Sequence, residues 1–341
     1  MPRPGVEPRV SVLLPVRDAA GTLGECLRSL AAQTLADHEV IAADDGSCDG
    51  SREILERAAR ADARVRVIEV PRRGLVAALN ACLASAQAPL LARMDADDVA
   101  EPRRLAIQAR LLDADPSLAI LGCRVRLLTQ PGHANAGMAA YVAWLNGLLD
   151  HDSIVRDIWI ESPLVHPSVV MRASALRALG GYRDFDGPED YDLWLRAHAA
   201  GLRFGKAAET LLAWRDAPGR LTRRDPRYRG ERFRALKLGA LESGPLAGGR
   251  GVVIWGAGPI GKGWARALAA HGHRIVAFVE VDPGRIGQTI HGAPVVGVAD
   301  AARLRGPLHL AAVGQRGARQ RIRLEALRLG LVEGRDMLAV A

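Results

Sequence analysis

Short apolar runs alternate with stretches of helical period along the amino-terminal part of the chain. Residues 10–16, VSVLLPV, read as a buried strand, and residues 22–33 place Leu23, Cys26, Leu27 and Leu30 on one helix face. The alternation continues with a strand over 39–43 that runs into Asp44-Asp45-Gly46-Ser47, and a helix over 51–61 opened by Asp49 or Ser51. A strand over 65–70, a helix over 75–86 and a strand over 89–94 follow. Strands interleaved with helices predict a mostly parallel sheet whose ligands gather at the carboxyl ends of its strands.

Beyond Glu101-Pro102 the pattern predicts a helix to about 113, a strand over 119–128 and a helix over 138–149. After the acidic, Trp-containing stretch HDSIVRDIWIES, the segment SPLVHPSVVMR reads as another strand, and a helix over 172–179 leads into Gly180-Gly181-Tyr182. GPEDYDLWLRAHAAG, residues 187–201, is a helix opening with carboxylates. Gly and Pro crowd together in LESGPLAGGRG, which marks residues 241–250 as a linker between a domain over 1–240 and a smaller one over 251–341. The second domain begins with a strand over 251–255, a glycine-rich turn, a helix over 260–271 and a strand over 274–281.

A length of 341 residues agrees with two cores. The formal charge of +8 would suit nucleic acid, an anionic membrane face or a phosphorylated small substrate. Nucleic acid is set aside, because the arginines are spread along the chain without a basic block or interleaved aromatics. The cluster Arg220, Arg223, Arg224, Arg227, Arg229, Arg232 and Arg234 fits either peripheral attachment to acidic lipid or a solvated helix face. Cys26, Cys48, Cys82 and Cys123 have neither metal-ligand spacing nor a disulfide framework, which suits a reducing cytosol. The first ten residues lack the apolar core of a signal peptide, and no run reaches the ~18 apolar residues of a membrane span. A soluble, cytoplasmic chain is the expectation.

Chemistry concentrates at the predicted strand ends. Asp95, Asp97 and Asp98 follow an apolar run in ARMDADD, and like charges so close call for a cation. Mg²⁺ or Mn²⁺ takes one or two carboxylates from a protein and shares its remaining positions with water and phosphate oxygens, so a diphosphate is the natural co-ligand. The alternative is a helix cap. AADDGSCDGS supplies a second acidic strand end with a tight turn, able to accept the imide hydrogen of a uracil or thymine ring or to serve as a plain turn and helix cap. Glu189-Asp190 lies at a helix start, where the dipole keeps a carboxylate ionised as a base requires, and where capping is the simpler role.

Residues 9 to about 225 resemble the family 2 inverting glycosyltransferases of the GT-A nucleotide-diphospho-sugar fold. The marks are VSVLLPVRDAAGTLGECLRSLAAQT, ADDGSCDGS, RRGLVAALN, ARMDADD, SPLVHPSVVMR, GGY and EDYDLWLR, in the family's order. The resemblance implies that Asp44 and Asp45 meet the nucleobase, that Asp95 lies near the ribose, and that Asp97, with Asp95, holds Mg²⁺ or Mn²⁺. It implies that Asp190, with Glu189 beside it, deprotonates the acceptor hydroxyl, that Pro15 and Arg17 border the nucleotide, and that Arg73 reaches a phosphate. Asp98 would cap the next segment. Many relatives carry Arg where this chain has Leu79 before Asn80, so Arg73 or Arg93 would replace that cation, or the donor differs. His166 and Trp194 are candidates for the acceptor side, with core packing the alternative for each. The partners so implied are a nucleotide-sugar donor and a saccharide or lipid-linked acceptor in surface polysaccharide or glycolipid assembly, with peripheral attachment to the inner membrane face left open. A catalytically silent nucleotide-sugar-binding or scaffold protein is the competing reading, which the joint presence of Asp95, Asp97 and Asp190 disfavours.

In the second domain, Gly256, Gly258 and Gly261 form G-x-G-x-x-G between a strand and a helix, with Glu280 and Asp282 about twenty positions beyond. Residues 251–341 resemble the small Rossmann-like modules attached to sugar acyltransferases and sugar methyltransferases, which implies a glycine turn that binds a nucleotide, a nucleotide sugar or nothing, with a scaffold or oligomerisation role the alternative; the fingerprint itself would admit NAD. An NAD-dependent oxidoreductase would rest on this stretch alone.

Overall fold

The computed structural model describes residues 7–129, 136–217 and 219–341. They form two compact units, one of residues up to 154 together with 163–225, the other of 155–162 together with 226–341.

In the first unit β1 (Val10–Val16), α1 (Ala20–Ala31), β2 (His38–Asp44), α2 (Ser51–Ala61), β3 (Val65–Glu69), α3 (Leu75–Ser85) and β4 (Leu90–Arg93) follow the predicted alternation. Then come β5 (Val99–Ala100), α4 (Arg104–Ala114), β6 (Leu118–Thr129), α5 (Ala136–Gly147), α6 (His151–Asp157), whose residues from Val155 on belong to the second unit, β7 (Val170–Arg172), α7 (Ala173–Ala178), α8 (Glu189–Ala199), β8 (Arg203–Asp216) and α9 (Leu221–Arg224). The sheet has eight strands in the order β3-β2-β1-β4-β7-β6-β8-β5. Its β3-β2-β1-β4 half is parallel, while β7 runs antiparallel to both β4 and β6. The sheet is therefore mixed. Every residue of β1 is buried, and Leu23, Cys26, Leu27 and Leu30 form the buried face of α1.

Several local details differ from the sequence pattern for physical reasons. The N-cap of α2 is Gly50, at φ 91, while Asp49 Oδ1 accepts from the N–H and hydroxyl of Ser51 one residue further on. Only Val170–Arg172 of SPLVHPSVVMR is strand; His166–Ser168 is a single 3₁₀ turn, since Pro167 has no N–H to give a ladder. The long strand β8 has no period-two signal, because the buried segment contains Lys206. That ammonium donates to the carbonyls of Leu145 and Pro163, and burial pushes its pKa down to about 8.

The second unit contains α10 (Gly230–Glu242), β9 (Val252–Trp255), α11 (Pro259–Ala270), β10 (Ile275–Glu280), β11 (Thr289–Ile290), β12 (Ala293–Gly297), α12 (Val298–Ala301), β13 (Leu308–Ala311), α13 (Ala318–Arg328) and β14 (Met337–Ala339). Its sheet order is β11-β12-β10-β9-β13-β14, parallel except at β11. α10 groups with this unit and ends at Glu242, inside the Gly- and Pro-rich stretch 241–250. Among the described residues no helix is long and apolar enough to cross a membrane.

Candidate active site

The carboxyl ends of β1, β2 and β4 lie side by side, with Val16 in register with Asp44 and Leu13 with Arg93. Pairing with β4 stops at Leu13, so Pro15, which has no N–H, interrupts no bond on that side, and the strand is free of β4 where the acidic residues begin. Arg17, Asp44 and Asp95 are thereby brought to one edge of the sheet.

Asp45 is committed to structure. Its Oδ1 accepts from the N–H of Arg73 at 2.6 Å, both oxygens lie within 3.1 Å of the N–H of Gly74, and Arg17 Nη1 lies 3.4 Å from Oδ2. These bonds hold the turn before α3, where Arg72 adopts φ 43. Gly46 is required beneath that turn: at φ 69 a side chain is strained, and a Cβ there would meet the Arg72 side chain at 3.1 Å. Asp44 accepts only from the N–H of Ser47, through Oδ1 at 3.1 Å, and its Oδ2 has no hydrogen-bond partner among the described residues. The Arg73 guanidinium is exposed; its backbone alone engages Asp45.

The turn after β4 gathers Asp95, Asp97 and Asp98 so that one carboxylate oxygen from each lies within 4.8 Å of the others. Burial, and then the neighbouring Asp95 charge, push the Asp97 carboxyl up to about 6, and the same causes raise Asp98 well above the usual carboxylate range. Asp98 accepts from the N–H of Arg215 at 2.7 Å through Oδ1, while its buried Oδ2 has no hydrogen-bond partner. It pins the end of β8 and does not cap a helix. Arg215 also donates through Nε to the carbonyl of Asp97 at 2.6 Å, which fixes the turn from behind. Crowded carboxylates with raised pKa and an orphaned buried oxygen fit a divalent cation, with Asp97 and Asp95 the accessible ligands.

A buried cation pairs with Asp95 and lies within electrostatic reach of Glu189 in α8. Arg93 is 2% exposed and ion-paired with Asp95. After the cost of burial, Asp95, Tyr182 and Glu189 are the groups that act most strongly on its guanidinium. Tyr182 follows the glycine pair, and its hydroxyl lies 3.0 Å from His166 Nε2; His166 Nδ1 lies 3.6 Å from Glu189 Oε1. Burial lowers the His166 pKa, so the ring is neutral near pH 7, and the Glu189 carboxylate places its proton on Nδ1. Nε2 then accepts from the Tyr182 hydroxyl. Asp190, partly exposed in the first turn of α8, accepts from the N–H of Tyr191 at 2.7 Å. Arg196 secures this helix by pairing with Asp192 at 2.7 Å and donating to the carbonyls of Leu179 and Gly181.

Two candidates from the sequence take structural places. Trp194 is 0% exposed and packs edge-on to His166 at 6.0 Å between centroids, so it offers no face to a sugar and is corrected to a core residue. His166 is buried and held between Tyr182 and Glu189, a positioning role. Leu79 is fully buried, and its neighbour Asn80 clamps Tyr182. The sequence pattern offered no signal for Arg215. Arg93, which the sequence offered as a replacement for the missing nucleotide-holding cation, is buried and ion-paired with Asp95.

Of the arginine cluster, Arg220 and Arg223 both pair with Asp216, and Arg220 lies 4.1 Å from the centre of the Trp214 ring. Arg220 also acts on Asp97, opposing the rise in its pKa. In the second unit Glu280 accepts from the N–H groups of Ala257 and Val281, and Asp282 accepts from the N–H of Gly284.

Residues 11–179 match glycosyl transferase family 2. The chain is 31% identical over 226 residues to the putative glycosyltransferase EpsE of Bacillus subtilis, covering 65% of this chain and 78% of the relative. It is 27% identical over 209 residues to the O-antigen biosynthesis glycosyltransferase WbnJ of Escherichia coli, covering 60% and 79%. Among solved structures, S. aureus TarS 1–349 in complex with UDP superposes with a TM-score of 0.54 at 18% identity, over 69% of this chain and 65% of that one, a likeness of fold. The strand-end carboxylates and the α8 carboxylates thus sit in a chain that belongs to glycosyltransferase family 2, a glycosyltransferase with the GT-A fold.

Proposed function

We propose that the first unit moves a sugar from a nucleotide-diphosphate donor to a hydroxyl of a saccharide or lipid-linked acceptor, with inversion at the anomeric carbon. The observation that supports this reading is the buried Arg93 guanidinium, which pairs with Asp95 and feels the charge of Glu189 at the start of α8. Asp44, with its unoccupied Oδ2, is the acceptor for the base, whereas Asp45 holds the Arg72–Gly74 turn around it. Pro15, Arg17 and Arg73 border the nucleotide, and Asp95 faces the ribose. Asp97 and Asp95 would hold Mg²⁺ or Mn²⁺, which when bound neutralises charge on the leaving diphosphate.

Asp190 takes the proton of the acceptor hydroxyl, supported by its helix N-terminus. The hydroxyl oxygen bonds to the anomeric carbon from the face opposite the diphosphate, and the bond from that carbon to the diphosphate oxygen breaks, which inverts the centre. Glu189 faces His166 and so positions α8. The relatives' role in O-antigen assembly supports surface polysaccharide or glycolipid as the product class. The free Cys26, Cys48, Cys82 and Cys123 suit a reducing cytoplasm, and Arg224 and Arg229, both exposed, suit peripheral contact with acidic lipid. We assign the transferase role to the unit ending at 225 and an appended module to the remainder.

Replacing Asp190 by Asn tests the reading. Transfer should fall by about 10²- to 10⁴-fold, the usual contribution of a general base, with donor affinity kept. Wild-type turnover in this variant would refute the assignment.

A further inference from the structure

A cavity of about 870 Å³ opens in the second unit at the carboxyl ends of its parallel strands. From β9 the chain proceeds through β10 to β12 on one side and then crosses to β13 and β14 on the other, so the sheet reverses direction of growth between β9 and β13. In open parallel sheets that reversal leaves a crevice where ligands lodge. The cavity is bordered there by Gly256 and Gly258 from the turn after β9 and by Val313 and Gly314 from the turn after β13.

The backbone around it is built for close approach. Gly256 has φ 104, and a Cβ on it would collide with Val313; a Cβ on Gly261 would collide with the Gly256 carbonyl, so this turn must be bare for α11 to start against β9. At Gly258, the N-cap of α11, a Cβ would meet nothing within 4 Å. Glu280 ends β10 with one oxygen accepting from the N–H of Ala257 and the other from the N–H of Val281, with Arg285 Nη1 of the same cavity 3.5 Å from Oε2, and a carboxylate so held can still accept from hydroxyl groups. Val281 is 78% exposed and Leu324 48%, both at the cavity, where they can cover the faces of a flat ring. Arg321, also at the cavity, is exposed and ion-paired with no group among the described residues.

We propose that this cavity binds a nucleoside diphosphate ester with an unphosphorylated ribose, its diphosphate over the Gly256–Gly261 turn and Arg321, its ribose hydroxyls on Glu280, and its base between Val281 and Leu324. A nicotinamide dinucleotide and a nucleotide sugar share this chemistry, and a ribose 2′-phosphate is repelled by Glu280. The site is separate from the carboxylates of the first unit and needs no metal.

Isothermal titration of the full chain in EDTA tests this, with NAD, NADP, UDP-glucose and ADP as probes, on the wild type, Gly258→Asp and Arg321→Glu. Asp at 258 has room and is a favourable N-cap, so that variant should keep or raise its melting temperature while placing a negative charge against the diphosphate. The expected result is metal-independent binding of NAD or UDP-glucose, with NADP excluded and affinity lowered at least about tenfold in both variants. NAD against UDP-glucose decides which source the site takes. Absence of binding by any probe, or binding unchanged in both variants, would overturn the proposal; neither outcome touches the metal-dependent reading of the first unit.

Discussion

Asn80 and Tyr182, 102 residues apart, exchange two hydrogen bonds: Asn80 Nδ2 donates to the Tyr182 carbonyl at 2.8 Å, and the Tyr182 N–H donates to Asn80 Oδ1 at 3.0 Å. The clamp needs Gly181, at φ 71, because a Cβ there would sit 2.8 Å from Asn80 Oδ1. It aims the Tyr182 hydroxyl at His166 and, through His166, positions Glu189. Asn80→Ala leaves backbone groups of Tyr182 without partners, which should cost about 1–3 kcal/mol. Urea unfolding monitored by tryptophan fluorescence measures it. An unchanged midpoint would remove the clamp from the account.

Arg93 and Asp95 form a pair in which the cation is buried. Breaking it from one side should be worse than removing both charges. Arg93→Met alone leaves Asp95 without its cation, and Asp95→Asn alone strands a buried guanidinium, at about 3–5 kcal/mol for the latter. The double variant should recover most of that stability while donor binding remains lost. Additive losses in the double-mutant cycle would show that the two side chains do not act together.

The raised pKa of Asp97 links metal binding to pH. Its carboxyl titrates at about 6 in the fold, against roughly 3.9 in an unfolded chain. A raised acid favours the fold fully below the unfolded value and loses that contribution as pH rises through the folded one, so the cation-free protein carries this penalty at neutral pH. Mn²⁺ relieves the penalty above that range and competes with the proton below it. The Mn²⁺-induced rise in melting temperature should therefore be larger at about pH 7.5 than at about pH 5, with Asp97→Asn abolishing the difference. Equal shifts at both values in the wild type would place the cation elsewhere.

Burial of Trp194 makes a separate prediction. Trp194→Phe should lower the melting temperature by opening space beside His166 and leave the KM for acceptor near wild type. A large rise in acceptor KM in a protein of unchanged stability would return Trp194 to the sugar-binding surface.

Much of this was legible because short-range patterns carried it. The parallel β1-β2-β4 edge follows from apolar runs ending in Asp44 and Asp95, and the face of α1 from Leu23, Cys26, Leu27 and Leu30. What escaped was tertiary in origin. Strand β8 hides behind Lys206, whose charge is tolerated only because the carbonyls of Leu145 and Pro163 face it. Arg215 acts on Asp98 across 117 positions, and Asn80 on Tyr182 across 102, distances at which periodicity carries no information. Trp194 has the sequence position of an exposed aromatic near a helix start but lies on the inner face of α8.

Whether the first unit holds a nucleotide sugar through its strand-end carboxylates is decided most directly by thermal melting of the full chain with UDP-, GDP- and dTDP-sugars, each with and without Mn²⁺, in the wild type and Asp97→Asn. The account predicts stabilisation by one nucleotide class that depends on Mn²⁺ and disappears in the variant. Stabilisation by none of them, or an equal response in Asp97→Asn, would contradict it.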